Sequence, residues 1–355
     1  MFEIHNFLDE VLKREASDLH ITTGVPPMLR LDGDLMPLND IVLKPNDTKT
    51  LIYSILNEAH REKLERNLEL DLSYSVPGKS RFRVNVYHQR GSIAAAFRVI
   101  PEHILTFKEL NLPPLLEELT KKPRGLIIVT GPTGTGKTTT LATMIDAINE
   151  RDLKHIITIE DPIEYLHNHK KSMVNQREVG EDTKSFANAL KYALREDPDV
   201  ILLGEMRDVE TISAAITAAE TGHLVLATLH TQDAPQTIDR IIDVFPPHQQ
   251  EQIRVQLASS LQGIIAQQLL PLKGAKGRIP AIEMLVATPA VRNIIRDAKT
   301  HLLYNAMQTG QKDGMKSLDQ ALSELYKQGK ISLESALIKA NDAVHMKKII
   351  GGGGF

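Results

Sequence analysis

The sequence has no cysteine among its 355 residues. Disulfide bonds, thiolate zinc sites and a cysteine nucleophile are therefore excluded, and a reducing cytoplasm suits the composition. No basic segment leads into an apolar one near the N-terminus, so we expect no secretory signal peptide. No apolar run approaches the roughly 20 residues that span a bilayer. The formal net charge of −3 argues against nucleic acid as the main partner.

The chain is long enough for two domains with cores of their own, and its first hundred residues predict a small α+β domain. In the stretch RFRVNVYHQRGSIAAAFRVI, apolar and polar residues alternate on both sides of a QRG turn. If Phe82 and Phe97 face one core, the period of two turns the alternate residues to an exposed face. Those residues include Arg81, Arg83 and Arg98. That face is either simply solvated or an anion-binding surface, since arginine offers phosphate a planar fork of donors.

The pattern changes after a proline-containing linker at 101–113. From 114 to 288 the short apolar runs GLIIVT, HIITIE, DVILLG and HLVLATLH alternate with helical stretches, which is typical of a parallel sheet covered by helices. From 289 to 355 the pattern is helical, and it ends in a glycine-rich tail that we expect to be mobile. The predicted order is an α+β domain at 1–100, the linker, an α/β domain and a helical C-terminal region.

The run GLIIVTGPTGTGKTTT carries the strongest chemical motif, G-x-x-x-x-G-K-[ST] between a strand and a helix. Glycines in such a loop let backbone N–H groups converge on phosphates, and the helix N-terminus adds a favourable dipole. Lys137 is expected to reach the β- and γ-phosphates, and Thr138 to hold Mg²⁺. The predicted nucleotide-binding residues are Gly131, Pro132, Thr133, Gly134, Thr135, Gly136, Lys137, Thr138 and Thr139.

Two further predicted strands end in acidic residues. HIITIEDPIEY places Glu160, Asp161 and Glu164 just past one strand, and DVILLGEMRD places Glu205 after another. Ligands of open parallel sheets lie at the carboxyl ends of the strands, so we expect these acids, the glycine-rich loop and His230 to converge. A single acid would more often be a helix cap or a solvated side chain. Several suitable strand ends beside a phosphate-binding loop favour catalysis.

The stretch TGHLVLATLHT has a histidine near each end of an apolar strand. His223 and His230 are seven residues apart, roughly 20 Å or more in a strand, so they cannot share a site. A metal would need several ligands closing on one ion, and no second histidine lies at ligand spacing. We therefore predict that neither binds a metal. His230 is expected at the nucleotide end and His223 at the far rim, and the family resemblance described below implies a subunit or domain contact for His223.

These motifs, in this order, resemble those of the secretion ATPases that drive type IV pili and type II and type IV secretion. GPTGTGKT resembles the Walker A motif of that family, TIEDPIEY its Asp box, DVILLGEMRD its atypical Walker B motif and TGHLVLATLHT its His box. The arginine-containing hairpin matches as well, so the resemblance covers nearly the whole chain. The short N-terminal domain is similar to that of the pilus-retraction members.

The segment AVRNIIRD at 290–297 is similar to the AIRNLIRE signature of the retraction motors. Val291, Ile294 and Ile295 would form one apolar face of a helix, with Arg292 and Arg296 on another. A purely structural helix would show the same pattern. The resemblance implies instead that this element couples the ring to the pilus machinery or to a neighbouring subunit, and that it takes no part in the chemistry.

The resemblance implies a homohexameric ring whose subunits have a PAS-like N-terminal domain and a RecA-like motor domain. It implies ATP and Mg²⁺ as cofactors, hydrolysis of ATP to ADP and phosphate, and mechanical retraction of a type IV pilus. The implied partners are the inner-membrane platform protein and the pilus machinery, with no nucleic acid. The implied location is cytoplasmic, at the pilus base and peripheral to the inner membrane.

Residue roles follow motif by motif from the same resemblance. Glu205 matches the glutamate that orients or deprotonates the attacking water, and His230 matches a histidine that reports the nucleotide state. Arg83 and Arg98 match arginines that reach the γ-phosphate, and Arg81 is a further candidate. These assignments are implied by the family and not by spacing alone.

The acids after the second strand match the family's Asp box, which helps to place Mg²⁺ and water. They are Glu160, Asp161 and Glu164. Gly204 stands where Walker B motifs usually have an aspartate, a departure that the family shares. Coordination of Mg²⁺ is then left to Thr138, phosphate oxygens and water, with the Asp box as a further candidate.

Several alternatives stay open at this point. A pilus-assembly or type II secretion ATPase usually carries a long extra N-terminal region and a tetracysteine zinc element, and a chain without cysteine cannot form the latter. An accessory retraction paralogue is excluded less firmly. A nucleotide-switched scaffold with little hydrolysis is disfavoured by Lys137, Glu205 and the arginines. A nucleic-acid translocase is disfavoured because no basic aromatic surface stands out.

Overall fold

The computed structural model describes residues 3–31, 33–101, 103–343, 346–347 and 350. These residues form two compact units. Unit 1 runs to His103 and includes Pro162–Leu166, and unit 2 contains the rest from Ile104 onward. The tail predicted to be mobile is MKKIIGGGGF, residues 346–355. Its described residues, 346, 347 and 350, are helical and Met346 is buried, and the rest lies outside the described residues. The separate C-terminal region predicted to begin at 289 stays a prediction, because its described helices belong to unit 2.

Unit 1 contains one antiparallel sheet with helices. The helices are α1 (Ile4–Lys13), α2 (Pro45–Tyr53) and α3 (Glu58–Asn67), and the strands are β1 (Asp18–Ile21), β2 (Met28–Leu31), β3 (Asp34–Pro37), β4 (Glu69–Val76), β5 (Ser80–Gln89) and β6 (Ser92–Ile100). The strand order is β3-β2-β1-β6-β5-β4, and every neighbouring pair is antiparallel. The predicted α+β architecture of the N-terminal part is therefore confirmed.

The two faces of this sheet follow from the alternation of apolar and polar residues. In β5, Phe82 and Val84 are fully buried and Arg83 between them is exposed. In β6, Phe97 is buried and Arg98 is exposed. The buried side chains share one core with residues of α1 and α2. Burial of the apolar row against the helices thus leaves the alternate row to solvent, as the period of two predicts.

Unit 2 is larger and mixes helices with a mostly parallel sheet. Its helices are α4 (Pro114–Leu119), α5 (Lys137–Arg151), α6 (Phe186–Ala193), α7 (Val209–Glu220), α8 (Ala234–Asp243), α9 (Pro247–Ser260), α10 (Pro289–Arg296), α11 (Leu303–Thr309), α12 (Leu318–Lys327) and α13 (Leu333–Lys339), with 3₁₀ turns at Thr300–Leu302 and Gln311–Asp313. Its strands are β7 (Gly125–Thr130), β8 (His155–Glu160), β9 (Met173–Glu178), β10 (Val200–Leu203), β11 (Leu224–Leu229), β12 (Leu261–Pro271) and β13 (Arg278–Val286). Strands and helices alternate as far as β11, except that β9 follows β8 without a helix between them.

The seven strands lie in the order β13-β12-β7-β11-β10-β8-β9. All neighbours are parallel except the antiparallel pair β12 and β13. Strands β7, β10 and β11 are buried along their whole length, because apolar cores cover both faces of the sheet. The parallel strands therefore end along one edge, where ligands of such sheets lie. The predicted fold class is confirmed.

Strands β9, β12 and β13 are not among the strands that the sequence pattern predicts. β9 reads MVNQRE and lies at a sheet edge, so only part of it needs apolar residues. β12 reads LQGIIAQQLLP and contains three glutamines. Polar residues in an otherwise apolar run hide a strand from a periodicity argument. The long β12–β13 hairpin consequently appears only in the structure.

The described residues beyond 289 form helices, as predicted. Val291 and Ile295 of α10 and Leu303 of α11 share a core with the sheet. Side chains cap α10, α12 and α13 where the chain enters them. At α12, for example, Ser317 and Gln320 form a capping box, which satisfies donors of the first turn. None of the helices in the described part of the chain has both the length and the apolar character of a membrane span.

A buried carboxyl group joins two helix starts in unit 2. Glu283 of β13 is 1% exposed. Its Oε1 accepts from the backbone N–H of Ala234 at 2.8 Å, and its Oε2 accepts from that of Leu318 at 3.2 Å. Burial raises the pKa of Glu283 to about 7, and the nearby Asp233 and Asp319 add to the increase, although the two backbone donors oppose it. The first turns of α8 and α12 therefore share one titratable acceptor.

This group should make the stability of the protein depend on pH. The folded protein keeps a proton on Glu283 up to about pH 7, whereas the unfolded chain releases it near 4.5. Unfolding then releases a proton between these values, so the contribution of Glu283 to the free energy of unfolding falls by about 3 kcal/mol as the pH rises through this window. Glu283→Gln should remove that dependence.

Urea unfolding at pH 5 and pH 8 measures this effect. The difference in unfolding free energy between the wild-type protein and Glu283→Gln should decrease toward pH 8. The exposed Glu251 gives a matched control, since Glu251→Gln should show a difference that is nearly constant with pH. A constant difference for Glu283→Gln as well would contradict the elevated pKa.

Candidate active site

The glycine-rich loop leaves the sheet at the end of β7 and enters α5. Gly131, Gly134 and Gly136 have backbone φ angles of 142°, 79° and 84°. Residues other than glycine rarely adopt such angles. A β-carbon on Gly131 would lie 2.4 Å from the backbone oxygen of Gln267. The chain thus needs glycine at this position both for its backbone angle and for space. Strand, loop and helix follow one another as the motif predicts.

Lys137 is the first residue of α5 and is only 8% exposed. Its Nζ donates to the carbonyl oxygens of Gly131 at 2.8 Å and Pro132 at 3.1 Å, so the cation lies over the loop. The N-cap residue is Gly136, which has no side chain to cap the first-turn N–H groups, and an anion can take that place. A buried cation beside a helix N-terminus is the electrostatic environment that a polyphosphate requires.

The structure brings His230 and Glu205 to this cation. His230 follows β11, and Glu205 lies two residues past the end of β10. His230 Nδ1 lies 3.4 Å from Lys137 Nζ, and its Nε2 lies 3.1 Å from Glu205 Oε1. A neutral imidazole with its proton on Nε2 satisfies both contacts, because it accepts from lysine and donates to glutamate. Lys137, His230 and Glu205 therefore form one continuous line of contacts.

Arg207 completes this line at its far end. Its Nε donates to Glu205 Oε1 at 2.6 Å, and its own side chain is largely exposed. Burial by itself would raise the pKa of Glu205, but the hydrogen bonds and charges of Arg207 and His230 outweigh it and hold the pKa below its usual range. Glu205 consequently stays ionised at neutral pH.

The Asp-box residues occupy different environments. Glu160 is buried at the end of β8, and its Oε1 accepts from Thr158 Oγ1 at 2.6 Å and from Gln176 Nε2 at 3.2 Å. Asp161 is exposed and belongs to unit 2, whereas Glu164 is exposed and belongs to unit 1. Glu160 is thus fixed by two neighbouring side chains, while Asp161 faces solvent.

Gly204 lies between β10 and Glu205, where an aspartate is common in other Walker B motifs. A β-carbon there would lie 3.3 Å from both the Cα of Glu160 and the backbone oxygen of Ile159. Such contacts are tighter than most side-chain carbons make, because β10 and β8 are hydrogen-bonded neighbours at this point. The close approach of the two strands accounts for glycine here.

The arginine face belongs to unit 1. Arg83 and Arg98 are direct cross-strand partners, and both are exposed. Arg98 Nε donates to Asp18 Oδ1 at 2.8 Å, and Arg30 Nε lies 4.0 Å from Asp18 Oδ2. Asp18 offsets part of the repulsion between like charges placed opposite each other. Arg81 is half-buried, so it is less exposed than its predicted place on the same face implies.

The two histidines that flank β11 lie in different environments. His223 precedes the strand and His230 follows it, as predicted. His223 Nδ1 lies 2.9 Å from the carbonyl oxygen of Ala218 and 3.4 Å from Thr221 Oγ1. These contacts lie within the turn between α7 and β11. His223 therefore has a local structural role, and its predicted part in a subunit or domain contact stays a prediction.

Sequence reasoning missed three polar residues of the site. Arg207 lies inside the motif DVILLGEMRD, so its proximity to Glu205 along the chain was a usable signal. Gln176 and Gln267 come from β9 and β12, neither of which the sequence pattern predicts. No motif marks a glutamine in a strand, and only the sheet order places these two beside Glu160 and the loop.

Residues 2–338 match the protein family described as "Type II/IV secretion system protein". The chain belongs to this family. It is 51% identical over 92% of its length to the "Type IV pilus retractation ATPase PilT" of Pseudomonas aeruginosa, of which it covers 95%. It is 43% identical over 98% of its length to the "Type IV pilus ATPase PilU" of that organism, of which it covers 91%. A crystal structure of the pilus retraction motor PilT with bound ADP superposes with a TM-score of 0.92 and 52% identity, covering 98% of this chain and 100% of that one.

In this member of the secretion family, α10 carries the segment AVRNIIRD. Val291 and Ile295 are fully buried, and the half-buried Ile294 packs against the same core, so the predicted apolar face is confirmed. Arg292 Nη1 donates to two carbonyl oxygens in the last turn of α9. The helix dipole also stabilises a cation at this end of a helix. Arg296, one turn later, is exposed. Substitution of both arginines would therefore combine a structural defect with the loss of a surface charge.

Substitution of Arg292 and substitution of Arg296 should change the free energy of unfolding by different amounts. We expect Arg292→Ala to lower the free energy of unfolding by roughly 1–2 kcal/mol, because α9 loses two hydrogen bonds from a charged donor. Arg296→Ala should change it by less than about 0.5 kcal/mol. Thermal unfolding of the two single variants measures the contrast, and equal melting temperatures would contradict the capping role of Arg292.

Proposed function

We propose that this chain is an ATP-hydrolysing motor that works as a homohexamer and powers the retraction of type IV pili. One observation carries the proposal: the buried Lys137 of the glycine-rich loop, His230 and Glu205 form a line of contacts at the carboxyl edge of a parallel sheet. The 51% identity to a retraction ATPase over 92% of the chain supports the particular task.

ATP is the proposed substrate, and the loop fits a polyphosphate. Its glycines have positive φ, which turns backbone N–H groups toward a common centre. Lys137 supplies a buried positive charge, and α5 supplies the positive end of its dipole. All nine loop residues from 131 to 139 are proposed to line the nucleotide site.

Mg²⁺ is the proposed metal, and oxygen donors suited to it are present. Thr138 lies in the first turn of α5, and Asp161 presents an exposed carboxylate just past β8. Held by such donors, Mg²⁺ would neutralise negative charge on the phosphates. Glu160 is held by Thr158 and Gln176, and its proposed role is to place water. The role of Glu164 stays a prediction carried from the family.

Glu205 is proposed to orient the attacking water. Arg207 and His230 outweigh the effect of burial and keep the pKa of its carboxyl low, so Glu205 is an acceptor at neutral pH. A carboxylate of low pKa is a weak base, and this favours orientation of the water over early removal of its proton. The proton would leave as the bond to phosphorus forms.

His230 is proposed to report the state of the nucleotide to Glu205. Lys137 Nζ donates to the carbonyl oxygens of Gly131 and Pro132, and a γ-phosphate offers it a stronger, charged acceptor. Movement of Nζ toward that acceptor changes the donor that faces His230 Nδ1. The other ring nitrogen contacts Glu205, so the change reaches the carboxylate through one side chain.

The wider assembly is also part of the proposal. The chain would act as a homohexamer on the inner-membrane platform protein of the pilus machinery, from the cytoplasmic side and peripheral to the inner membrane. The name of the retraction ATPase relative supports a pilus as the load. The exposed Arg296 of α10 lies outside the nucleotide motifs and is the proposed contact with that machinery. Nucleic acid is not among the proposed partners.

An accessory role in retraction is the main alternative. The identity to the PilU ATPase is 43%, against 51% to the PilT ATPase, which favours the principal motor. A nucleotide-switched scaffold is a second alternative from another class. A scaffold would need no ionised carboxylate at this place. The lowered pKa of Glu205 and its contact with His230 at 3.1 Å therefore favour hydrolysis.

Two substitutions test the proposed hydrolysis. Glu205→Gln should keep ATP binding and hexamer formation but lower turnover by roughly 10² or more, because a neutral amide orients and polarises the attacking water less well than a carboxylate does. Lys137→Ala should weaken nucleotide binding itself. Phosphate release and size-exclusion chromatography measure the two effects in vitro. Normal turnover in Glu205→Gln would remove this residue from the mechanism, and a wild-type protein without turnover would favour the scaffold.

Retraction itself is tested in cells that lack their own retraction ATPase. The wild-type gene should restore twitching motility, and Glu205→Gln should not. Arg296→Ala should keep hydrolysis and lose retraction if α10 contacts the pilus machinery. Wild-type hydrolysis without any restored motility would contradict the assignment to pilus retraction while leaving the ATPase proposal intact.

Of the two cross-strand arginines, Arg83 and Arg98, Arg83 gives the more direct test of a role in hydrolysis. Arg83→Ala should slow hydrolysis by about 10³-fold if this arginine stabilises charge on the γ-phosphate, with an unchanged melting temperature because Arg83 is exposed. Arg98→Ala should also slow hydrolysis, but it leaves the buried Asp18 without its partner at 2.8 Å, so its melting temperature should fall. The exposed Arg66 is the control, and wild-type rates in Arg83→Ala would mean that the face is merely solvated.

A further inference from the structure

Gln267 of β12 is buried against the glycine-rich loop. It is 2% exposed. Its Nε2 donates to the carbonyl oxygen of Thr135 in the loop, and its Oε1 accepts from Thr140 Oγ1 at 2.9 Å in the first turn of α5. One planar amide thus joins the loop to the helix that follows it.

The backbone of Gln267 also limits the space for a side chain at Gly131, where the loop begins. The pairing of β7 with β12 reaches Thr130 and Ala266, so Gln267 lies directly beyond the last pair. A β-carbon on Gly131 would lie 2.4 Å from the Gln267 carbonyl oxygen, and one on Gly136 would lie 3.3 Å from its Nε2. Gln267 therefore contacts the loop where it begins and where it ends.

The two hydrogen bonds require a side chain of this size that carries one donor and one acceptor, as the amide does. Thr135 offers a carbonyl oxygen, which needs a donor, and the Thr140 hydroxyl is placed to donate, which needs an acceptor. Leucine has the size but neither function. An ionised glutamate would turn an acceptor toward the carbonyl of Thr135. A protonated glutamate has one O–H donor and one C=O acceptor and reproduces the pattern of the amide.

We propose that Gln267 is a positioning residue for nucleotide binding, which holds the glycine-rich loop in the shape that receives the phosphates. The inference rests on the proposed function, since it assigns a role within the same site. Gln267 would act through the loop backbone and touch neither the phosphates nor the attacking water. Its loss should therefore raise the KM for ATP more than it lowers kcat, because Glu205 and His230 remain in place.

The test uses the full-length protein and a fluorescent mant-ADP probe. Gln267→Leu should raise the Kd for mant-ADP about tenfold or more, since a buried carbonyl and a buried hydroxyl lose their partners. The control is Gln268→Leu. Gln268 is the next residue of β12 and is also buried, and successive strand residues face opposite sides of the sheet. Its Kd should stay within about twofold of the wild type.

Gln267→Glu adds a readout that a general loss of stability would not give. Its Kd relative to the wild type at the same pH should be near 1 at pH 5.5, where a buried carboxyl is protonated, and should rise at least about tenfold by pH 8. This variant also decides the question if Gln267→Leu does not fold. A ratio that is flat with pH, or wild-type affinity in Gln267→Leu, would overturn the inference. A wild-type protein that does not bind mant-ADP would instead overturn the proposed nucleotide site.

Discussion

The backbone of β12 passes so close to the end of β7 that Gly131 has no room for a side chain, since a β-carbon would lie 2.4 Å from the Gln267 carbonyl oxygen. This approach follows from the parallel pairing of the two strands up to Thr130 and Ala266. The chain must then leave β7 with a φ of 142° at Gly131, which only glycine tolerates. The turn that results places Lys137 at the start of α5, so the position of the buried cation depends on this one contact.

From Lys137 the polar contacts cross three adjacent strands of the sheet. The loop follows β7, His230 follows β11 and Glu205 follows β10, which are consecutive in the sheet order. Neighbouring strands lie roughly 4.8 Å apart, a gap that one long side chain bridges. Each contact therefore joins one strand end to the next, and the proposed signal from the loop to the carboxylate would need no movement of the sheet.

The sequence predicts those site residues that lie next in the chain to the strand or helix that positions them. The loop, its lysine and the acids past the strands lie next to the elements that position them, and parallel strands must share an edge. Gln267 could not be predicted, because its partners Thr135 and Thr140 are 132 and 127 residues away in the chain. Likewise, apolar periodicity predicts the buried face of α10, but the carbonyl groups that accept from Arg292 belong to another helix.

These distant contacts give α10 a physical connection to the nucleotide site. Arg292 holds the last carbonyl groups of α9, α9 ends at Ser260, and β12 begins at the next residue and carries Gln267. A shift at the end of α9 that displaced β12 along β7 would change the distance between the Gln267 amide and the loop, because close-packed elements transmit such shifts. Any partner that displaces α10 and changes nucleotide affinity by this route must in turn be bound more or less tightly as the nucleotide changes, because the coupling free energy is the same in both directions. A motor that converts hydrolysis into movement requires that reciprocity between its phosphate site and the surface that meets its load.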